Sequence, residues 1–169
     1  MMIITKLTSE NIKEAGEMAD QIFVRTPIPP SVGLGASLDN QVMEDLNKNH
    51  KGNFNWLQYW VGIDRKTKEV IGVVGLYEEL SDAKEACWLG WFCVRPDKRG
   101  RRHGTQLLDF AITYAKKLHK QYLRLYTSTD PNELKAQKIY KKYGFQETTK
   151  EKREKEDIYE TIYLELALL

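Results

Sequence analysis

Cysteine is scarce in this chain: its 169 residues hold two, Cys87 and Cys93. They lie six apart in one apolar, strand-like run, which predicts a shared face and a separation of about 20 Å. A disulfide needs Cα atoms within about 7 Å, so the two cannot cross-link each other. Histidine is nearly as rare, with His50, His103 and His119 scattered and no Cys-x-x-Cys spacing, and no metal site is expected. Long apolar runs are missing too. None reaches the roughly 18 residues of a membrane span, and no basic-plus-apolar leader opens the sequence, so a cytoplasmic protein is expected. Nor does one sign of charge dominate. Lys and Arg number 26 against 24 Asp and Glu, a net charge of +2, too small to imply a nucleic-acid or membrane partner for the chain as a whole. Internal repeats and low-complexity segments are absent. Prolines are few, and three of the five fall with two glycines in residues 26–35, TPIPPSVGLG, which predicts a loop.

The composition, 41% hydrophobic and 30% charged, suits a single domain over residues 1–169 with a sizeable core. Residues 2–7 read as a short strand. Ser9 can cap a helix with Ile12, Ala15, Met18, Ala19 and Ile22 on one stripe. A polar helix is predicted over about 38–48, with Val42, Met43 and Leu46 inward. The weakly patterned segment 26–55 is equally readable as a wall of a substrate site and as a plain surface connection. WLQYWVGID (56–64) and VIGVVGLY (70–77) form a hairpin, and CWLGWFCV (87–94) is a third, central strand. Alternation puts Trp56 and Trp60 on one face, and Trp88 on the face opposite Trp91. A helix runs from Gly104 to about Leu118, and YLRLYT (122–127) should lie parallel to 87–94 through a right-handed crossover. Asp130-Pro131-Asn132-Glu133 starts another helix that ends at Gly144. Phe145 to Thr149 begins a strand, KEKREKED (150–157) is a solvated turn, and residues 158–166 alternate as the last strand.

The chemistry-bearing stretch is FCVRPDKRGRRHGTQLL (92–108). A strand, a glycine-bearing basic turn and a helix N-terminus in that order make an anion site. The unpaired N–H groups of the first turn converge, and the helix dipole adds about half a positive charge. Five Arg and Lys between residues 95 and 103 against one acid, Asp97, favour a doubly charged pyrophosphate over a lone carboxylate.

VRPDKRGRRHG (94–104) resembles the cofactor motif of the Gcn5-related N-acetyltransferase (GNAT) superfamily, with Val94, Pro96, Arg99 and Gly104 matching. AQKIYKKYGF (136–145) resembles that family's second segment, A-x3-Y-x3-G-F. The resemblance implies an α/β (α+β) domain with the acyl-CoA N-acyltransferase fold. It has a mixed, mostly antiparallel sheet of six to seven strands, about four flanking helices and a splayed parallel strand pair. It also implies acetyl transfer from acetyl-CoA, as co-substrate, to a small-molecule or peptide primary amine by direct attack in a ternary complex. Backbone amides from Gly100 through Arg101, Arg102, His103 and Gly104 to Thr105 would hold the pyrophosphate, and Arg101 or Arg102 the 3′-phosphate. A splay beyond Val94 would free backbone groups of Phe92, Cys93 and Val94 for the pantetheine arm. A homodimer is expected only by analogy with the family.

Tyr140 resembles the family's general acid, which protonates the departing thiolate; the i, i+4 spacing to Ala136 equally suits a core tyrosine. Glu78 and Glu79, at the end of the neighbouring strand, are the candidate bases, each also readable as a polar strand end. Three positions depart from the family pattern. Arg102 stands at the middle glycine and is expected in a right-handed conformation with its side chain outward. Glu133 stands where the pantetheine-contacting Asn belongs, with Asn132 one residue earlier as the carry-over. Tyr126 replaces a glutamate found in some members. A CoA-binding module without turnover is the rival reading, and Cys93 as an acyl carrier a further alternative.

Overall fold

A computed structural model describes residues 1–50, 52–152, 154–155 and 157–169. Seven strands form one sheet in the order β1-β2-β3-β4-β5-β7-β6. They are β1 (Met2–Lys6), β2 (Phe54–Asp64), β3 (Val70–Glu79), β4 (Ala86–Val94), β5 (Tyr122–Ser128), β6 (Gln146–Glu151) and β7 (Thr161–Ala167). All neighbours are antiparallel except β4 and β5. This is the mixed, mostly antiparallel sheet expected from the sequence.

The helices are α1 (Ile12–Ile22), α2 (Pro30–Ala36), α3 (Asn40–Asn49), α4 (His103–Lys117) and α5 (Leu134–Lys142), one more than expected. The addition is α2, inside the stretch read as loop. Pro30 occupies its first turn, where a proline's missing N–H is no loss, and Leu34 and Ala36 are buried. Burial of that short apolar face outweighs the poor helix propensity of Gly33 and Gly35. Ser9 does not cap α1. The helix begins after Asn11, whose side chain accepts from Thr8 N–H at 2.9 Å. In the expected solvated turn, β6 continues through Glu151, while Arg153 and Glu156 lie outside the described residues, as does Lys51 of the 26–55 segment.

Two cores flank the sheet. One packs α1, α2 and α3 on the face carrying Leu57, Tyr59, Val61 and Val73. The other packs α4 and α5 on the face carrying Trp60, Val74, Leu76, Leu123 and Leu125. Between them β4 breaks alternation. Val74 pairs with Phe92 but Leu76 with Leu89, so Gly90 and Trp91 together oppose Gly75 in a β-bulge. The extra residue puts Trp88 and Trp91 against the same core and sends Cys87 and Cys93 to opposite ones. Both outcomes reverse the sequence expectation, because simple alternation does not survive an inserted residue.

Candidate active site

β4 and β5 pair in parallel only from Ala86 to Trp88, opposite Tyr122 to Arg124. From Leu89 onward the strands diverge, so the splay starts well before Val94, where it was expected. The closed end is held by Arg124. Its guanidinium donates to Asp82 at 2.6 Å, Glu85 at 2.8 Å and Glu165 at 2.7 Å. Asp82 also accepts from Trp88 Nε1 at 2.9 Å. These bonds tie the β3–β4 turn to β5 and β7 beside the last paired residues.

At the open end, Arg95 N–H donates to Ile71 O at 2.8 Å, so Arg95 and, by alternation, Cys93 turn their backbone groups toward β3. Phe92 and Val94 turn theirs to the opening; Cys93 does not, contrary to expectation. Its side chain is buried, and burial pushes the thiol up to about 12. That removes the thiolate an acyl carrier would need.

The turn after β4 contains a one-turn helix, Pro96–Lys98, and Gly100 with φ of +77°. Arg102 then caps α4 with φ of +63° and ψ of 11°. The expectation of a right-handed Arg102 is therefore wrong: the arginine adopts the left-handed conformation that glycine takes without strain. Entering α4 directly from this tight turn requires it. The first α4 bond runs from Gln106 N–H to Arg102 O at 3.0 Å, and no acceptor for the N–H groups of Gly100 to Thr105 is found among the described residues. The amides that the sequence assigned to an anion are thus collected at one helix end.

The basic side chains divide into two sets. Arg95 contacts Glu69 at 3.9 Å and Asp97 at 3.3 Å, and Lys98 contacts Glu69 at 3.4 Å. Arg99 Nε donates to Val94 O at 3.0 Å. Arg101 and Arg102 are exposed and have no acidic partner among the described residues. Glu69, contributed by the β2–β3 turn, is the acid that local sequence could not reveal. Its carboxyl sits below the usual range, first because Thr67 donates to it and then because of Lys98.

Tyr140 lies on α5 beside the opening, its ring 6.2 Å from that of Phe92 and 5.6 Å from that of Phe145. It is 6% exposed. Burial, then the Glu133 carboxylate, raises its phenol above the ordinary value, so it stays protonated. No hydrogen bond to its hydroxyl is found among the described residues. Glu133 accepts from Thr127 Oγ1, from Ser128 N–H at 2.7 Å and from Ser128 Oγ at 2.9 Å. It therefore fastens α5 to the end of β5, while Asn132 is exposed.

The two candidate bases do not join this group. Glu78 is held by Lys120 at 2.7 Å and by Asn55 at 2.9 Å, and Glu79 ends the same strand. Both stand beyond Tyr77, which pairs with Trp88 at the closed end, and about 13 Å of strand separates Trp88 from Phe92. Among the described residues no group of three or more His, Cys, Asp or Glu is placed to hold a metal, and no helix is long and apolar enough to cross a membrane.

One residue near the opening went unread in the sequence. Tyr59, from β2, accepts from Trp91 N–H at 3.3 Å. The signal available was a set of glycines inside apolar strands, Gly75 and Gly90, which mark close backbone or ring approach.

Comparisons with known proteins bear on the family and the fold. The family model described as "Acetyltransferase (GNAT) family" matches residues 31–145. A GNAT-family protein from Desulfovibrio desulfuricans superposes with a TM-score of 0.77 at 14% identity, covering 100% of both chains. The ribosomal-protein-S18-alanine N-acetyltransferase of Escherichia coli gives 0.68 at 15% identity, over 99% of this chain and 94% of that one. The NatC complex bound to Gag peptide and CoA gives 0.73 at 16% identity, over 99% of each chain. No curated protein matches the chain. The matched segment, more than two-thirds of the chain, spans the splayed strands, the amide-rich turn and the helix bearing Tyr140, and the chain belongs to the GNAT acetyltransferase family.

Proposed function

We propose that this chain is one domain that transfers the acetyl group of acetyl-CoA to a primary amine, by direct attack within a ternary complex. The observation that carries the reading is the opening between β4 and β5, with amides that have no acceptor among the described residues at the α4 N-terminus on one side and Tyr140 on the other. The N–H groups of Gly100 to Thr105 bind the pyrophosphate, and Arg101 and Arg102 supply the unpaired cations for the 3′-phosphate. Backbone groups of Phe92 and Val94 pair with the amides of the pantetheine arm as an added strand would. The thioester then lies beside Tyr140.

The amine lone pair forms the C–N bond, the C–S bond breaks, and the departing thiolate takes the Tyr140 proton. The amine's excess proton leaves to water, and Tyr140 is reprotonated from solvent. Burial keeps that proton on the phenol at neutral pH, so it is present when the thiolate departs. Cys93 plays no covalent part. The acceptor is a small-molecule or peptide amine. One structural neighbour is named for acetylating a ribosomal-protein alanine and another is bound to a Gag peptide, which makes peptide amines the first to try. The engagement of Glu78 by Lys120 and Asn55 favours a second reading, a CoA-binding module without turnover, since it holds this candidate base away from the opening.

Acetyl-CoA and CoA should each raise the melting temperature, and no shift with either rejects the cofactor assignment. Thiol release from acetyl-CoA over a panel of peptides and small amines distinguishes enzyme from module. Tyr140→Phe should lower kcat while leaving acetyl-CoA binding unchanged; an unaltered rate makes Tyr140 a packing residue.

A further inference from the structure

The β4 bulge turns one backbone group out of the ladder, the N–H of Trp91, and Tyr59 meets it at 3.3 Å. The phenol reaches across from β2 because two glycines lie beneath it. A Cβ on Gly75 would stand 2.2 Å from Tyr59 Cε1, and one on Gly90 2.8 Å from the hydroxyl oxygen. Above it, Gly33 of α2 leaves room: a Cβ there would lie 3.6 Å from the same oxygen. Tyr59 is 3% exposed, so packing fixes the hydroxyl in one place. Its oxygen accepts from Trp91, and it still carries its own proton, for which no acceptor is found among the described residues. A hydroxyl that accepts from an amide is also the better donor, since such chains polarise one another.

The place matters as much as the group. Trp91 stands three residues beyond Trp88, the last β4 residue paired with β5, and the next residue, Phe92, is the one Tyr140 packs against. Tyr59 belongs to the core on the α1–α3 face and Tyr140 to that on the α4–α5 face. The two phenols thus approach β4 from opposite faces of the sheet, at Trp91 and at Phe92, beside the opening.

We propose that Tyr59 is a second catalytic phenol, whose O–H hydrogen bonds the carbonyl oxygen of the thioester and stabilises the charge that develops on it. This rests on the acetyl-transfer reading. When the amine nitrogen bonds to the carbonyl carbon, the C=O π pair moves onto oxygen, and Tyr59 holds it without giving up its proton. As C=O re-forms, the C–S bond breaks and Tyr140 protonates sulfur. The two tyrosines divide the work, one for the oxygen and one for the leaving group. Removing one such donor slows kcat about 10²- to 10³-fold.

The test is the infrared carbonyl band of bound acetyl-CoA labelled with ¹³C at the acetyl carbonyl, in wild type and in Tyr59→Phe. Phenylalanine keeps the ring on Gly75 and removes only the hydroxyl. In wild type the band should move to lower frequency on binding. In Tyr59→Phe that shift should be lost and kcat lowered about 10²-fold, while the melting temperature falls modestly because Trp91 N–H loses its acceptor. A band equally shifted in both proteins overturns the inference and leaves acetyl transfer standing. A lower melting temperature with the band shift retained makes the hydroxyl only a support for the bulge, and a band unshifted in wild type overturns the inference as well. Failure of wild type to bind acetyl-CoA overturns both readings.

Discussion

Arg102 offers the sharpest test of how the turn is built. It holds φ of +63° at the head of α4, and a non-glycine residue pays about 1–2 kcal/mol for a left-handed conformation. Glycine avoids that strain but gains about 0.4–1 kcal/mol of extra freedom in the unfolded chain. Arg102→Gly and Arg102→Ala both remove an exposed side chain with no acidic partner among the described residues; only the first relieves the backbone. The glycine variant should therefore be more stable than the alanine variant by about 0.5–1 kcal/mol. For a chain of this size that is about 1–4 °C in melting temperature. Urea denaturation of the pair measures the difference directly, and an alanine variant as stable as the glycine one refutes a left-handed Arg102. The same variants, titrated with CoA and dephospho-CoA, show whether Arg102 or Arg101 serves the 3′-phosphate. If Arg102 does, the preference for CoA falls in both variants; if Arg101 does, it persists.

Further outcomes follow from the part-buried charge cluster and the buried thiols. Arg124→Ala should cost about 1–3 kcal/mol by urea denaturation. It leaves Asp82, whose side chain is 14% exposed and whose Oδ1 has no hydrogen-bond partner among the described residues, with only Trp88 as a donor beside Glu165 at 25%; a loss below about 1 kcal/mol means the cluster is held otherwise. Burial pushes both thiols, Cys87 and Cys93, up to about 12, so iodoacetamide should leave the native protein unlabelled at pH 8 and label it once unfolded. Because those pKa values are raised in the folded state, the stability they confer is complete below the unfolded value near 8.5 and declines as pH rises toward 12. The decline is at most about 1.4 kcal/mol per unit for each thiol, and flat stability over that range counts against burial of the thiols.

The hairpin of β2 and β3, the α1 stripe and the parallel relation of β4 to β5 were legible because each depends on near-neighbour periodicity or on the handedness of one crossover. The amide-rich turn was legible for the same reason: strand end, glycine and helix start are contiguous in residues 92–108. What depended on a count kept over several residues failed once the count changed. The Gly90–Trp91 bulge inserts one residue, and with it the faces of Trp91 and Cys93 exchange. Helix α2 was missed because its warrant is the burial of Leu34 and Ala36, not its proline- and glycine-rich composition.

By itself, then, the sequence determined the family motifs, the strand and helix pattern around them and the run of backbone amides at the head of α4. Local spacing encodes all of these. Tertiary structure alone decided which charges remain available. Glu69 crosses from another turn to engage Arg95 and Lys98, leaving Arg101 and Arg102, and Lys120 and Asn55 engage Glu78. It also set where the splay begins, through Arg124 and its three carboxylates. And it brought Tyr59 to the β4 bulge from a strand more than thirty residues earlier. Pairings across such separations depend on register, packing room and the glycines that grant it, and no local pattern records them.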